Sequence, residues 1–215
     1  MKDWILRNIQ QHDWLSLIFL FNFILMVLVK FLNRSQFQYF IRFIDSGLYF
    51  KIYGKENQRL DQFTILGTLY LLSNLTLGIF YYLNIIFYTS NSFKFFLILL
   101  TKIIALVIIR YLFLELCFKI LQLKKIIEII QFKSLTYQIQ ISGFSFFLFL
   151  LYQFSFSNEK FFLNSLGIII ILYLISQITI YREYWPFFKH NILYLILYLC
   201  TFKLAPWIML YSTFS

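Results

Sequence analysis

Lys102, Arg110, Glu115 and Lys203 are ionisable residues that fall inside long apolar stretches of this chain, and Pro206 follows Lys203 by three residues. A charge at the centre of a bilayer costs about 2.5–3.5 kcal/mol on insertion scales, so such groups face a bundle interior, pair, or reach back to the headgroups. Two roles are open to these four. A charged site inside a helix bundle would bind or pass an ion or polar solute, whereas pairing would only fasten helices together. At 100° per residue Arg110 lies about 80° around a helix from Lys102 and Glu115 about 140° further, so the three form no single stripe. Glu115 and Lys119 stand at i, i+4 in the favourable order, which contributes about 0.2–0.5 kcal/mol in water. Snorkelling and local pairing are therefore the plainer reading for Arg110 and Glu115. Pro206 removes a backbone donor and kinks a helix, freeing the carbonyl of Phe202. A kink beside an intramembrane cation suits binding or gating, and a pairing of Lys203 with Glu115 is equally compatible.

Catalytic chemistry has less to work with. An intramembrane protease needs paired aspartates, or a serine with a histidine, within its spans. Asp3, Asp13, Asp45 and Asp61 all lie outside the apolar cores, and His12 and His190 sit at segment edges. A metal site would need clustered histidines and carboxylates, which the sequence does not group. Cys117 and Cys200 lie within apolar runs and read as small buried apolar side chains, not as a disulfide framework or zinc site. The sequence thus offers no catalytic residue, no cofactor-binding residue and no metal ligand, and the expectation is a protein without cofactors that is not an enzyme.

Composition says what must position these residues. Of 215 residues 61% are apolar and 13% charged, against about 45–50% and about 25% in soluble domains. There are too few polar residues to coat a soluble domain, so the bilayer supplies the missing apolar solvent. Phe occurs 29 times and Tyr 16 times, while alanine appears only as Ala105 and Ala205. AT-rich codons give such a profile, so the aromatics are not evidence for a cofactor box. The net charge of +10 lies mostly between apolar runs, where it orients helices and meets anionic lipid. No basic–aromatic array on a soluble domain supports nucleic-acid binding.

A spanning helix needs about 20 mostly apolar residues. Six stretches meet this: 14–31, 63–88, 93–121, 139–156, 161–181 and 192–211. The expected fold is an all-α, polytopic transmembrane helical bundle, a single transmembrane domain over residues 1–215. The first stretch lacks a small-residue cleavage site, so it reads as a retained helix and not as a removed signal peptide. The fourth and fifth, joined only by Ser157–Asn158–Glu159–Lys160, should form an antiparallel hairpin. Two connections are long enough for structure of their own. Residues 32–62 mix Arg34, Arg42, Lys51, Lys55 and Arg59 with apolar Phe37, Phe40 and Ile41, which fits a short interfacial helix, with turns at Gly47 and Gly54. Residues 122–138 show helical spacing and read as a cytoplasmic extension of the third helix. No internal repeat of the kind transporters carry is evident.

Basic loops stay in the cytoplasm. Lys30, Arg34, Arg42, Lys51, Lys55, Arg59, Lys119, Lys124, Lys125, Lys133, Arg182 and Lys189 lie on one side, twelve against the four of Lys2, Arg7, Lys94 and Lys160. Segments 32–62, 122–138 and 182–190 are then cytoplasmic and both termini are outside. Within the spans Ser73, Asn74, Thr76 and Asn84, and Asn164, Ser165, Ser176, Gln177 and Thr179, are candidates for hydrogen bonds between helices. There is no GxxxG pattern.

The ending Leu197–Tyr198–Leu199–Cys200–Thr201, with Pro206 and Leu210–Tyr211, resembles the last helix of a family of multi-pass inner-membrane proteins from Bacteroidota known only as a domain of unknown function. Asp13–Trp14, Tyr53–Gly54–Lys55 and Lys133–Ser134–Leu135–Thr136–Tyr137 look similar too, so the resemblance covers nearly the whole chain. It implies a bacterial inner-membrane location and brings no substrate or catalytic residue. The family tends to carry an acidic residue shortly before the proline, where this chain has Lys203; an activity resting on that carboxylate would lack its group here. Two functions remain. The first is a non-enzymatic membrane component, a scaffold, assembly factor or complex subunit whose partners are the lipid bilayer and other membrane-protein subunits. The alternative is a small transporter or channel built on the intramembrane charges.

Overall fold

A computed structural model describes residues 13–32, 34–41, 50, 62–87, 92–121, 124–155 and 158–190. Six helices lie among the described residues: α1 (Asp13–Leu32), α2 (Arg34–Ile41), α3 (Gln62–Phe87), α4 (Phe93–Leu121), α5 (Lys124–Phe154) and α6 (Glu159–His190). No strand occurs among the described residues. Among the described residues four helices are long and apolar enough to cross a membrane, over Trp14–Leu32, Gln62–Ile86, Glu128–Phe154 and Glu159–Trp185. The chain is an all-α bundle of the polytopic membrane type.

Local sequence explains several helix ends. Ser92 starts α4 by accepting the Phe95 amide on its side-chain oxygen at 3.3 Å, satisfying a donor that the first turn leaves orphaned. Asn158 does the same for α6, its Oδ1 accepting the Lys160 amide at 3.1 Å. Glu159 follows in the first turn, where a negative charge complements the helix dipole. The connection between α5 and α6, residues 155–158, is as short as expected, and the two helices form the hairpin.

Three expected boundaries match closely: α1, α3 and α4 lie within a residue of the stretches at 14–31, 63–88 and 93–121. Three other features differ. Segment 122–138 does not extend the third helix. From Lys124 onward it is the first half of α5, continuous to Phe154, so the expected start of the fourth span at residue 139 came too late. Its polar residues read as a solvated extension in sequence because the partners of Lys133 and Ser134 lie on another helix. Segment 182–190 is likewise not a separate loop but the end of α6, which runs on to His190. Within 32–62 the short helix is present as α2, with Phe37 and Phe40 buried; the turns at Gly47 and Gly54 and the sixth span at 192–211 lie outside the described residues.

α3 is the central helix. It packs against α1, α4 and α5, and α5 in turn packs against α6, while α2 reaches from α1 to α5. Accordingly 56% of the apolar window of α3 is buried against 22% for α6. The outer face of α6 presents Ile170, Ile171, Leu174 and Ile178, each more than half exposed. Such a continuous apolar face is untenable in water and ordinary in lipid. The α1–α3–α5 junction is filled by Phe19, Tyr70 and Phe146, whose rings sit at 5.9 and 6.1 Å from one another through Phe146. Close approach of α3 to α5 depends on two glycines. A Cβ at Gly67 would stand 2.8 Å from Ile139 Cδ1, and one at Gly78 would stand 3.0 Å from Phe149 Cζ.

Candidate functional site

The polar residues of the bundle fall into three levels along α3 and α5. At the α5 start and the α6 end lies an ion pair. Lys133 Nζ donates to Glu183 Oε1 at 2.6 Å. The Lys133 side chain is 9% exposed, whereas Glu183 is 57% exposed. The ammonium also stands 5.1 Å from the Phe50 ring centre and 5.0 Å from that of Tyr184, so two aromatic faces and a carboxylate surround it. Next to it Gln177 of α6 donates to Ser134 Oγ at 3.4 Å, and Gln140 donates to the Phe40 carbonyl, tying α2 to α5. This level is a clasp across α5, α6 and the residues after α1.

The middle level joins α1, α3 and α5. Asn22 Nδ2 donates to Ser73 Oγ and to the Ile18 carbonyl, both at 2.9 Å. Asn74 Nδ2 donates to Ser142 Oγ at 3.1 Å. Asn22, Ser73, Asn74 and Ser142 are all buried. At the far end the Tyr81 hydroxyl donates to Gln153 Oε1 at 2.9 Å. Its ring meets Tyr152 at 5.2 Å and Phe162 at 5.8 Å, an aromatic knot linking α3 to the α5–α6 hairpin.

A cavity among the described residues opens to the side. It has a volume of about 510 Å³ and lies between α1, α3 and α4, lined by Trp14, Phe21, Leu69, Phe96, Leu100 and neighbouring apolar side chains, with Ser73 as its polar contact. A groove so apolar suits a hydrocarbon chain and not an ion. Among the described residues no three His, Cys, Asp or Glu side chains stand close enough to hold a metal.

The residues singled out by sequence are distributed differently. Lys102 is exposed on α4. Arg110, also on α4, is half-buried, and its Nε is buried without a hydrogen-bond partner. It lies within electrostatic range of Tyr173 on α6, whose hydroxyl also interacts with the Gln138 side chain of α5. Glu115 falls on α4, but its side chain, like Lys203 and Pro206, lies outside the described residues. Of the hydrogen-bonding candidates, Ser73, Asn74 and Gln177 do join helices. Thr76, Ser165, Ser176 and Thr179 instead donate back to carbonyls three or four residues earlier on their own helices, which satisfies a hydroxyl in lipid without a neighbour. Sequence reasoning placed Lys133 on a cytoplasmic extension of the third helix and passed over Asn22, Glu183 and Ser142. The available signal was the burial-compatible spacing of Lys133, Ser134, Tyr137 and Ile141 on one face of a helix.

No curated protein and no solved structure matches the chain. A family model matches residues 15–214, nearly its full length. The chain belongs to the family described as a domain of unknown function (DUF4271).

Proposed function

We propose that this chain is a non-enzymatic component of a bacterial inner membrane, of the Bacteroidota kind, acting as a scaffold, assembly factor or subunit of a larger complex. The observation that carries this reading is where the polar side chains go. Lys133–Glu183, Gln177–Ser134, Asn74–Ser142, Asn22–Ser73 and Tyr81–Gln153 each join one helix to another. They build a rigid frame, and the lateral cavity is apolar. The wide apolar face of α6 is a surface that a neighbouring membrane protein could cover, and Arg34 and Arg182 are exposed basic residues near the helix ends. The basic segments 32–62, 122–138 and 182–190 face the cytoplasm by the positive-inside rule and both termini lie outside.

Purification of a tagged copy from its native membrane in gentle detergent, followed by mass spectrometry, tests the reading. A stoichiometric protein partner supports it. A lone monomer or homo-oligomer overturns it. A second reading, a small transporter or channel, is favoured by one observation, the buried and unpartnered Nε of Arg110 beside Tyr173. Ion or solute flux in vesicles reconstituted with this chain alone, abolished by Arg110→Gln, would establish that reading instead.

A further inference from the structure

Three buried polar groups at the α1–α3–α5 junction have no hydrogen-bond partner: Asn22 Oδ1, Asn74 Oδ1 and the Tyr70 hydroxyl. Each of the three residues is at least nine-tenths buried, Asn22 at 0%, Asn74 at 1% and Tyr70 at 4% exposure. Their residues are neighbours. Tyr70, Ser73 and Asn74 occupy i, i+3 and i+4 on α3 and so share one face. Asn22 of α1 is bonded to the Ser73 in their midst at 2.9 Å. The Tyr70 hydroxyl and the Asn74 side chain interact, yet neither reaches hydrogen-bond geometry with the other. All lie well inside the apolar windows Trp14–Leu32 and Gln62–Ile86, where lipid offers no alternative partner.

We infer that this junction binds water: at least one molecule is held between Asn22, Tyr70 and Asn74. The hydrogen-bonding inventory selects the ligand. Two amide oxygens accept, and a phenol both donates and accepts. A water supplies two donors and two acceptors, so it completes all three at once. The Asn22 amide is fixed in orientation, because only its nitrogen can donate to the Ile18 carbonyl. The Asn74 amide faces a hydroxyl, Ser142 Oγ, which bonds to it in either orientation. A metal cation would match only the arrangement that presents oxygen, whereas water matches both. Ser73, which bonds to Asn22, also lines the lateral groove. The inference is independent of what protein partner the chain has.

Radiolytic labelling by a synchrotron X-ray pulse, read by mass spectrometry on the full chain in nanodiscs, tests it. Hydroxyl radicals made from bound water modify the side chains that hold it, even where bulk water does not reach. Tyr81 is the internal control, since it is equally buried at 5% and its hydroxyl is already bonded to Gln153. Bulk water would reach Tyr81 first, because it lies nearer an end of α3. Tyr70 is expected to be modified several-fold faster than Tyr81, and to fall to the Tyr81 rate in the Asn22→Leu/Asn74→Leu double variant. Modification of Tyr70 no faster than Tyr81 in the unaltered chain would overturn the inference, as would a Tyr70 rate that the double variant leaves unchanged.

Discussion

Lys133 and Glu183, fifty residues apart, meet at 2.6 Å across the α5–α6 hairpin, with the lysine enclosed and the glutamate facing outward. The pair is lopsided. The carboxylate keeps water or headgroups on one side, while the ammonium depends on that carboxylate and on the rings of Phe50 and Tyr184.

Removing the two partners should therefore have unequal effects. Glu183→Ala strands a buried ammonium and should cost about 1–3 kcal/mol of stability. Lys133→Met removes the enclosed charge itself, keeps most of its packing, and leaves an exposed carboxylate that needs no partner; it should cost less. Thermal unfolding of both variants in detergent decides the order. A greater loss for Lys133→Met would mean that the aromatic rings, and not Glu183, hold the lysine.

The pair Asn74–Ser142 should couple weakly but measurably. Hydrogen bonds between membrane helices average about 0.6 kcal/mol in double-mutant cycles, and Asn74→Ala combined with Ser142→Ala should return a coupling of that order. Thr179→Val should be close to neutral, because the Thr179 hydroxyl serves only the Ile175 carbonyl of its own helix. A Thr179 effect as large as that of Asn74 would contradict this division between fastening and self-satisfied hydroxyls.

Glycines of this bundle should separate into two kinds. Gly78→Val drives a branched side chain into the Phe149 ring, with the first added atom already at 3.0 Å, and overpacking of this sort costs about 1–3 kcal/mol. Gly143→Ala and Gly167→Ala meet nothing within 4 Å and should be neutral or stabilising by up to about 1 kcal/mol, through helix propensity. Melting temperatures of the three variants in one detergent give the comparison.

Single cysteines placed at Arg34 and Asn158, both exposed, with Cys117 and Cys200 replaced by serine, report orientation. A membrane-impermeant maleimide should label the Asn158 position in intact spheroplasts and the Arg34 position only after lysis. The opposite pattern would invert the arrangement drawn from the basic segments.

The parts of the fold visible in sequence are those governed by continuous apolarity. α1, α3 and α4 come out within a residue because lipid imposes one simple requirement on a whole segment. α5 is legible as a span only in its second half. Its first half carries Gln131, Lys133, Ser134, Thr136 and Gln138, polar enough for its helical spacing to read as a solvated extension of the helix before it. What makes it a buried helix is Glu183 and Gln177 on α6 and the Phe40 carbonyl at α2, and a single sequence does not show which distant residues will be neighbours. The polar residues within the spans divide for the same reason. Asn74 and Gln177 stand out as polar in an apolar run, and they do join helices. Asn22 is equally anomalous in the middle of α1, and its meaning comes only from Ser73. Arg110 was recognised as a charge in an apolar helix, while its neighbour Tyr173 came only from the packing.

The four-residue connection between α5 and α6 bears on how the chain is made. The α5 window has a mean hydropathy of 1.3, against 2.1 for α6, and it contains the lysine that α6 neutralises. As each segment leaves the ribosome, α5 alone is a poor candidate for release into lipid. It becomes a good one only once Glu183 and Gln177 have been synthesised, so the two segments are expected to leave the translocon together, as a preassembled unit docking on α3.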